Sequence, residues 1–94
     1  MYGNQEAIET LKLARRNLVE FGWTRGEYGK PGRPMCLMGA IWYAREDWYD
    51  LHAEKAVRAT LKGGSIEAFN DHVARSREDI FWLIAETIDR LESE

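Results

Sequence analysis

Cysteine, histidine and paired polar side chains carry much of protein chemistry, and this 94-residue chain has few of the first two. Its one cysteine is Cys36, and its histidines are His52 and His72. Cys36 is expected at or near a helix N-terminus, where the positive dipole end lowers a thiol pKa and favours the nucleophilic thiolate. A cysteine enzyme also needs a base, usually histidine. Neither His52 nor His72 stands at a recognisable spacing from Cys36. The competing reading, and the favoured one, is a small buried apolar residue, which is how a free cysteine usually behaves. An enzyme centred on Cys36 is therefore the alternative, and the balance leans away from catalysis. One cysteine and two separated histidines cannot make a typical structural zinc site. No metal and no cofactor are expected.

Two further groups could bind rather than react. Asn70-Asp71 follows directly on a short helical turn, where such side chains usually satisfy backbone groups, so the pair reads as structural. Arg25, Lys30 and Arg33 lie in a Gly/Pro-rich stretch with Trp23 and Tyr28. Cations interleaved with aromatics can hold an anion or single-stranded nucleic acid. The glycines there do not follow the Gly-x-x-x-x-Gly-Lys-Ser/Thr order of a phosphate loop. The chain has 13 basic and 16 acidic residues, a net charge of −3, which makes nucleic acid an unfavoured partner.

The aromatic residues offer a different chemistry. Four tryptophans in 94 residues is a high count, and Trp and Tyr bury much area at protein contacts with little rotamer loss. Trp82, Trp42, Tyr49 and Leu13 fall off the expected core stripes. They are the candidate contact residues for a protein partner or for a homodimer face.

These residues need elements to position them. At 100° per residue, Ala7, Leu11, Ala14, Leu18 and Phe21 form one stripe of a first helix from about Asn4, its expected cap, to Phe21. Residues 22–34 are irregular, with a type II turn at Pro31-Gly32. A tiny hairpin pairing Glu27-Tyr28 with Arg33–Met35 is the only strand option. A second, central helix is expected from Met35 to Trp48 or Leu51. Its core face is Cys36, Leu37, Ala40, Ile41, Ala44 and Trp48, its second face is Met38, Trp42 and Tyr49, and Gly39 serves a close helix crossing. Asp50 can cap a third helix, Leu51 to Lys62. Ser65 caps a short turn, Ile66 to Asn70. Ser76 and Asp79 form a capping box for the last helix, with Ile80, Ile84, Thr87, Ile88 and Leu91 inward and a fraying tail at Glu92–Glu94. The expected fold is thus all-α or nearly so: one domain over 1–94, with four main helices and one short helical turn.

Three segments resemble an uncharacterised family of small actinobacterial and actinobacteriophage proteins, known only as a domain of unknown function. They are Gly22-Trp23-Thr24-Arg25-Gly26, Cys36-Leu37-Met38-Gly39-Ala40-Ile41, and Ser65-Ile66-Glu67-Ala68-Phe69-Asn70-Asp71 followed by Ser76. Trp23, Gly26, Gly39, Asn70, Asp71 and Ser76 are the structural positions in these motifs. The loop before Met35 is short for the family, and Phe69 stands where the family often has Trp. The resemblance implies an intracellular protein, with phage encoding as one option, and brings no activity with it. The polar, acidic start from Met1 to Glu9 does not read as a signal peptide, and no apolar run reaches the roughly 20 residues that span a bilayer. A cytoplasmic, non-enzymatic interaction protein is the leading expectation, with no membrane contact.

Overall fold

A computed structural model describes residues 3–94; the first two residues of the expected polar N-terminus lie outside that range. Helix α1 spans Asn4–Phe21. Its stripe is as the periodicity required, with Ala7, Leu11, Ala14 and Leu18 fully buried. Gly22, at φ 102°, ends the helix, and its N–H donates to the Leu18 carbonyl.

Further along the chain are α2 (Leu37–Trp42), α3 (Leu51–Thr60), α4 (Ile66–Ala68) and α5 (Arg77–Glu92). Helix α1 packs against α5, α2 and α3, and α3 also packs against α5. The α5 stripe places Ile80, Leu83, Ile84, Thr87 and Leu91 in the shared core. No strand occurs among the described residues, so the fold is all-α.

Several local expectations change. The hairpin is absent; Trp23 and Met35 instead form an isolated parallel bridge. Met35 N–H donates to Gly22 O and Thr24 N–H to Met35 O. Pro34 has no N–H to extend a ladder. The turn at Pro31-Gly32 does form: Gly32 has φ 83°, and Arg33 N–H donates to the Lys30 carbonyl.

The central helix is much shorter than expected. Cys36 is its N-cap rather than its first turn, and it stops at Trp42. Ala44 N–H donates to Ile41 O, an i→i+3 bond that tightens the end. Beyond it, Arg45 is drawn to α1, donating to Thr10 Oγ1 (3.1 Å) and Glu6 Oε1 (3.0 Å). The Thr10 hydroxyl in turn donates to Asp50, which caps α3 through Ala53 N–H. These polar ties hold 43–50 as a bent strap, and Trp48, expected in the core, is exposed. Met38, expected on the second face, is buried with Leu37, Gly39, Ala40 and Ile41, whereas Trp42 of that face is exposed.

Caps differ too. Gly3, not Asn4, occupies the α1 cap position. Asn4 Nδ2 donates to Leu91 O and Glu94 Oε1, which ties the C-terminal tail to α1. Ser76 makes no cap hydrogen bond. Asp79 reaches one residue further back, accepting from Arg75 N–H (2.9 Å), and this bond holds its carboxyl below the usual range. Ser65 caps α4 as expected. The turn then runs on as a π-helical segment, Phe69–Val73.

Candidate functional site

Asn70 is where the three motif segments meet. It lies on the π-turn and is fully buried. Its Oδ1 accepts from Trp23 Nε1–H (2.6 Å) and Leu37 N–H (2.9 Å). Its Nδ2 donates to Thr24 O (3.1 Å) and Asp71 Oδ1 (2.9 Å). Asp71 also accepts from Gly26 N–H (2.9 Å), and this bond, with the Asn70 amide, lowers its pKa. Arg25 donates to the Ala74 carbonyl and lies 5.1 Å over the Trp23 ring. The pair expected to be structural thus clamps segment 22–37 to the 66–74 turn.

Tyr28 completes that attachment. Its carbonyl accepts from Cys36 N–H and rests on Gly39, where a Cβ would lie 2.0 Å from the oxygen. The close approach expected at Gly39 is therefore with loop backbone, not with a crossing helix. Tyr28 OH donates to Glu67 Oε2 (3.1 Å), and that bond raises the phenol pKa.

A cavity of about 330 Å³ lies here, lined by Gly26, Glu27, Tyr28, Cys36, Glu67 and Asp71. Cys36 is buried, and its Sγ accepts from Gly39 N–H (3.3 Å). Burial pushes the thiol pKa up, and the Gly39 and Met38 amides offset this only in part. A six-residue helix supplies little dipole to oppose that. His52 is within hydrogen-bond distance of Asn4 Oδ1 instead (2.9 Å), and His72 is exposed on the π-turn. No hydrogen bond joins either histidine to Cys36 among the described residues. Among those residues no three Cys, His, Asp or Glu side chains group as a metal ion needs.

The basic loop divides. Arg25 is committed to Ala74, whereas Lys30 and Arg33 line an open groove of about 500 Å³ with Thr24, Glu27, Gly29 and Pro34. Neither Lys30 nor Arg33 is in a salt bridge among the described residues.

The contact candidates divide as well. Trp42 packs edge-on against Tyr28 (5.2 Å between centroids) and Tyr49 (6.2 Å). Tyr49 OH donates to Glu54; burial, then that bond, raises its pKa strongly. Trp42, Tyr43, Arg45, Glu46, Asp47, Trp48 and Tyr49 line a groove of about 410 Å³. Trp42 is 45% and Trp48 46% exposed, and the Arg45 guanidinium stands 5.2 Å over the Trp48 ring. Trp82 is 57% exposed on α5 and Leu13 half-buried on α1, and neither lines this groove. Tyr28, Tyr43 and Trp48 join the cluster without having been singled out as contact residues. The signal was the charged triplet Arg45-Glu46-Asp47, which a buried helix could not have accommodated.

Residues 3–90 match the model of a family of unknown function, DUF6197. The chain belongs to that family. No curated protein and no solved structure matches it. In this member of DUF6197 the Asn70 hub has no free hydrogen-bonding valence for a ligand, and the raised Cys36 thiol is the reverse of an activated nucleophile. Among the described residues, the DUF6197 chain also presents an aromatic groove and a groove lined by Lys30 and Arg33. Among its described residues, no helix is long and apolar enough to cross a membrane.

Proposed function

We propose that this chain is a non-enzymatic protein-interaction module whose docking face is the aromatic groove of residues 42–49, extended by Tyr28. The observation that carries this reading is the Tyr28–Trp42–Tyr49 stack, open to solvent beside Tyr43 and Trp48. A chain this short buries only roughly 60–65% of its unfolded surface. Leaving two indoles half outside that thin core fits a second surface meant to cover them. Tyr and Trp also offer large rigid contact area at low entropic cost.

Truncating a tryptophan at the centre of an interface costs about 2 kcal/mol or more, about thirtyfold in Kd. The test is affinity capture from the native cell, followed by titration of the purified partner, or of the chain itself if light scattering shows a dimer. Trp42→Ala/Trp48→Ala should weaken binding by that factor, and Trp82→Ala should not. A partner that binds all three proteins alike ends this reading, as does a monomer that captures nothing.

A second reading rests on the other groove. Lys30 and Arg33 line it together with one acid, Glu27, and neither cation is in a salt bridge among the described residues, which suits an anionic ligand. It predicts salt-sensitive binding of oligonucleotides or phosphate that Lys30→Gln/Arg33→Gln removes. No gel shift and no phosphate binding at low salt would discard it.

A further inference from the structure

Resting on the docking-face reading, we infer that the groove takes an arginine-bearing segment of a partner protein. Three observations carry this. Arg45 already places a guanidinium 5.2 Å over the Trp48 ring while its Nη2 meets Glu6 Oε1 at 3.0 Å. The strap thus holds one guanidinium between an indole and a carboxylate.

Glu46 and Asp47 line the same groove, are exposed, and form no salt bridge among the described residues. Arg45, the one cation of the strap, also lines the groove, but its hydrogen bonds go to Glu6 and Thr10 of α1 and it forms no salt bridge with Glu46 or Asp47 among the described residues. The groove therefore carries two carboxylates without a salt bridge and one guanidinium already paired with Glu6, a net negative edge beside an indole, Trp42, with nearly half its surface open.

A ligand that satisfies both features is a planar cation. Arginine stacks on aromatic faces and meets carboxylates through a fixed fork of N–H donors, so it can use Trp42 and the Glu46–Asp47 edge at once. Lysine offers the charge without the plane. A nucleic acid backbone would meet the two carboxylates with like charge.

The test uses the whole protein and three blocked nine-residue peptides of glycine alternating with arginine, lysine or citrulline. Citrulline keeps the shape of arginine and removes its charge. Binding is followed through the indole N–H resonances of the four tryptophans. The arginine peptide should shift Trp42 and Trp48 and leave Trp23 and Trp82 in place. Lysine should bind more weakly and citrulline not measurably, and raising salt should weaken the arginine complex.

Glu46→Gln/Asp47→Asn, both at exposed positions, should raise the arginine-peptide Kd about five- to tenfold at low salt. Trp48→Ala alone should weaken it without touching α2. Equal binding of the arginine and citrulline peptides overturns the inference. So does an unchanged Kd in the charge variant, or binding of free arginine as tight as that of the peptide. If the arginine peptide does not bind but a captured partner still depends on Trp42 and Trp48, the cationic partner is refuted and the docking face stands. If nothing depends on them, both fall.

Discussion

Asn70 is the residue on which most else depends. A side-chain amide can accept two hydrogen bonds and donate two, and this one makes all four. Asn70→Ala leaves the Trp23 indole N–H, the Leu37 N–H and the Thr24 carbonyl without their partner. An orphan in a buried place costs about 1–3 kcal/mol; the Leu37 N–H is buried and the other two groups are partly so. Some will reach water as the loop relaxes, so the expected loss in urea unfolding is about 3 kcal/mol. Trp82→Ala, at an exposed site, should stay within about 0.5 kcal/mol. A loss no larger at Asn70 than at Trp82 would mean that the hub does not hold the loop.

Its neighbour sets an acid-side dependence. The Gly26 N–H, then the Asn70 amide, lower the folded-state pKa of Asp71. A depressed carboxyl contributes stability that is present above the unfolded pKa, about 3.9, and is lost as pH falls through the lower folded value. Stability should therefore drop on acidification below about pH 4. Asp71→Asn should flatten part of that slope and leave the Asp79 share, which has the same sign. Urea midpoints measured from neutral pH into that acid range test it, and a slope unchanged in Asp71→Asn rejects it.

At the scale of elements, Gly39 separates propensity from packing. Alanine in a helix is favoured over glycine by about 1 kcal/mol. Propensity alone therefore predicts that Gly39→Ala stabilises α2. The Tyr28 carbonyl, 2.0 Å from the added Cβ, predicts the opposite. The loop must lift, which weakens the Cys36 N–H bond to that carbonyl and moves Tyr28 off Trp42. The variant should unfold at lower urea, by about 1–3 kcal/mol, the usual cost of overpacking. A stabilised variant would show that the loop backbone yields freely.

The same element marks where sequence reasoning stops. Stripes such as Ala7–Leu18 and Ile80–Leu91 are legible because helix periodicity records one buried face. Extending that periodicity past Trp42 failed, because a stripe does not register Arg45 leaving the helix for Glu6 and Thr10. Asn70 was legible as a structural polar residue but not as a hub, since its partners Trp23 and Leu37 lie 47 and 33 positions away. The aromatic groove was half legible. Trp42 and Tyr49 fall off the core stripe, but Trp48 entered it only through a continuation of α2 past Trp42 that does not form.

At the scale of the whole molecule, the helices and the segment between α1 and α2 are held in different ways. Helices α1, α3 and α5 share apolar faces. Residues 24–34 have no ladder and are fastened at points: Asn70, Asp71, the Ala74 carbonyl and Glu67. Segments with few buried apolar contacts open locally at less than the global free energy. In native-state hydrogen exchange the buried turns of α1 and α5 should exchange only with global unfolding, and Glu27 to Gly32 should exchange fast. The Leu37 amide should be slow, although it opens a helix of only six residues, because Asn70 accepts it. Asn70→Ala should then speed Leu37 and Thr24 by more than it speeds the α5 amides. A uniform acceleration at every site would instead make the loop one cooperative unit with the helices. The distinction reaches function, because releasing the loop carries Tyr28 away from Trp42 and dismantles one wall of the aromatic cluster. If the groove is the docking face proposed above, binding there should weaken in the same variant together with Leu37 protection while α1 and α5 remain folded.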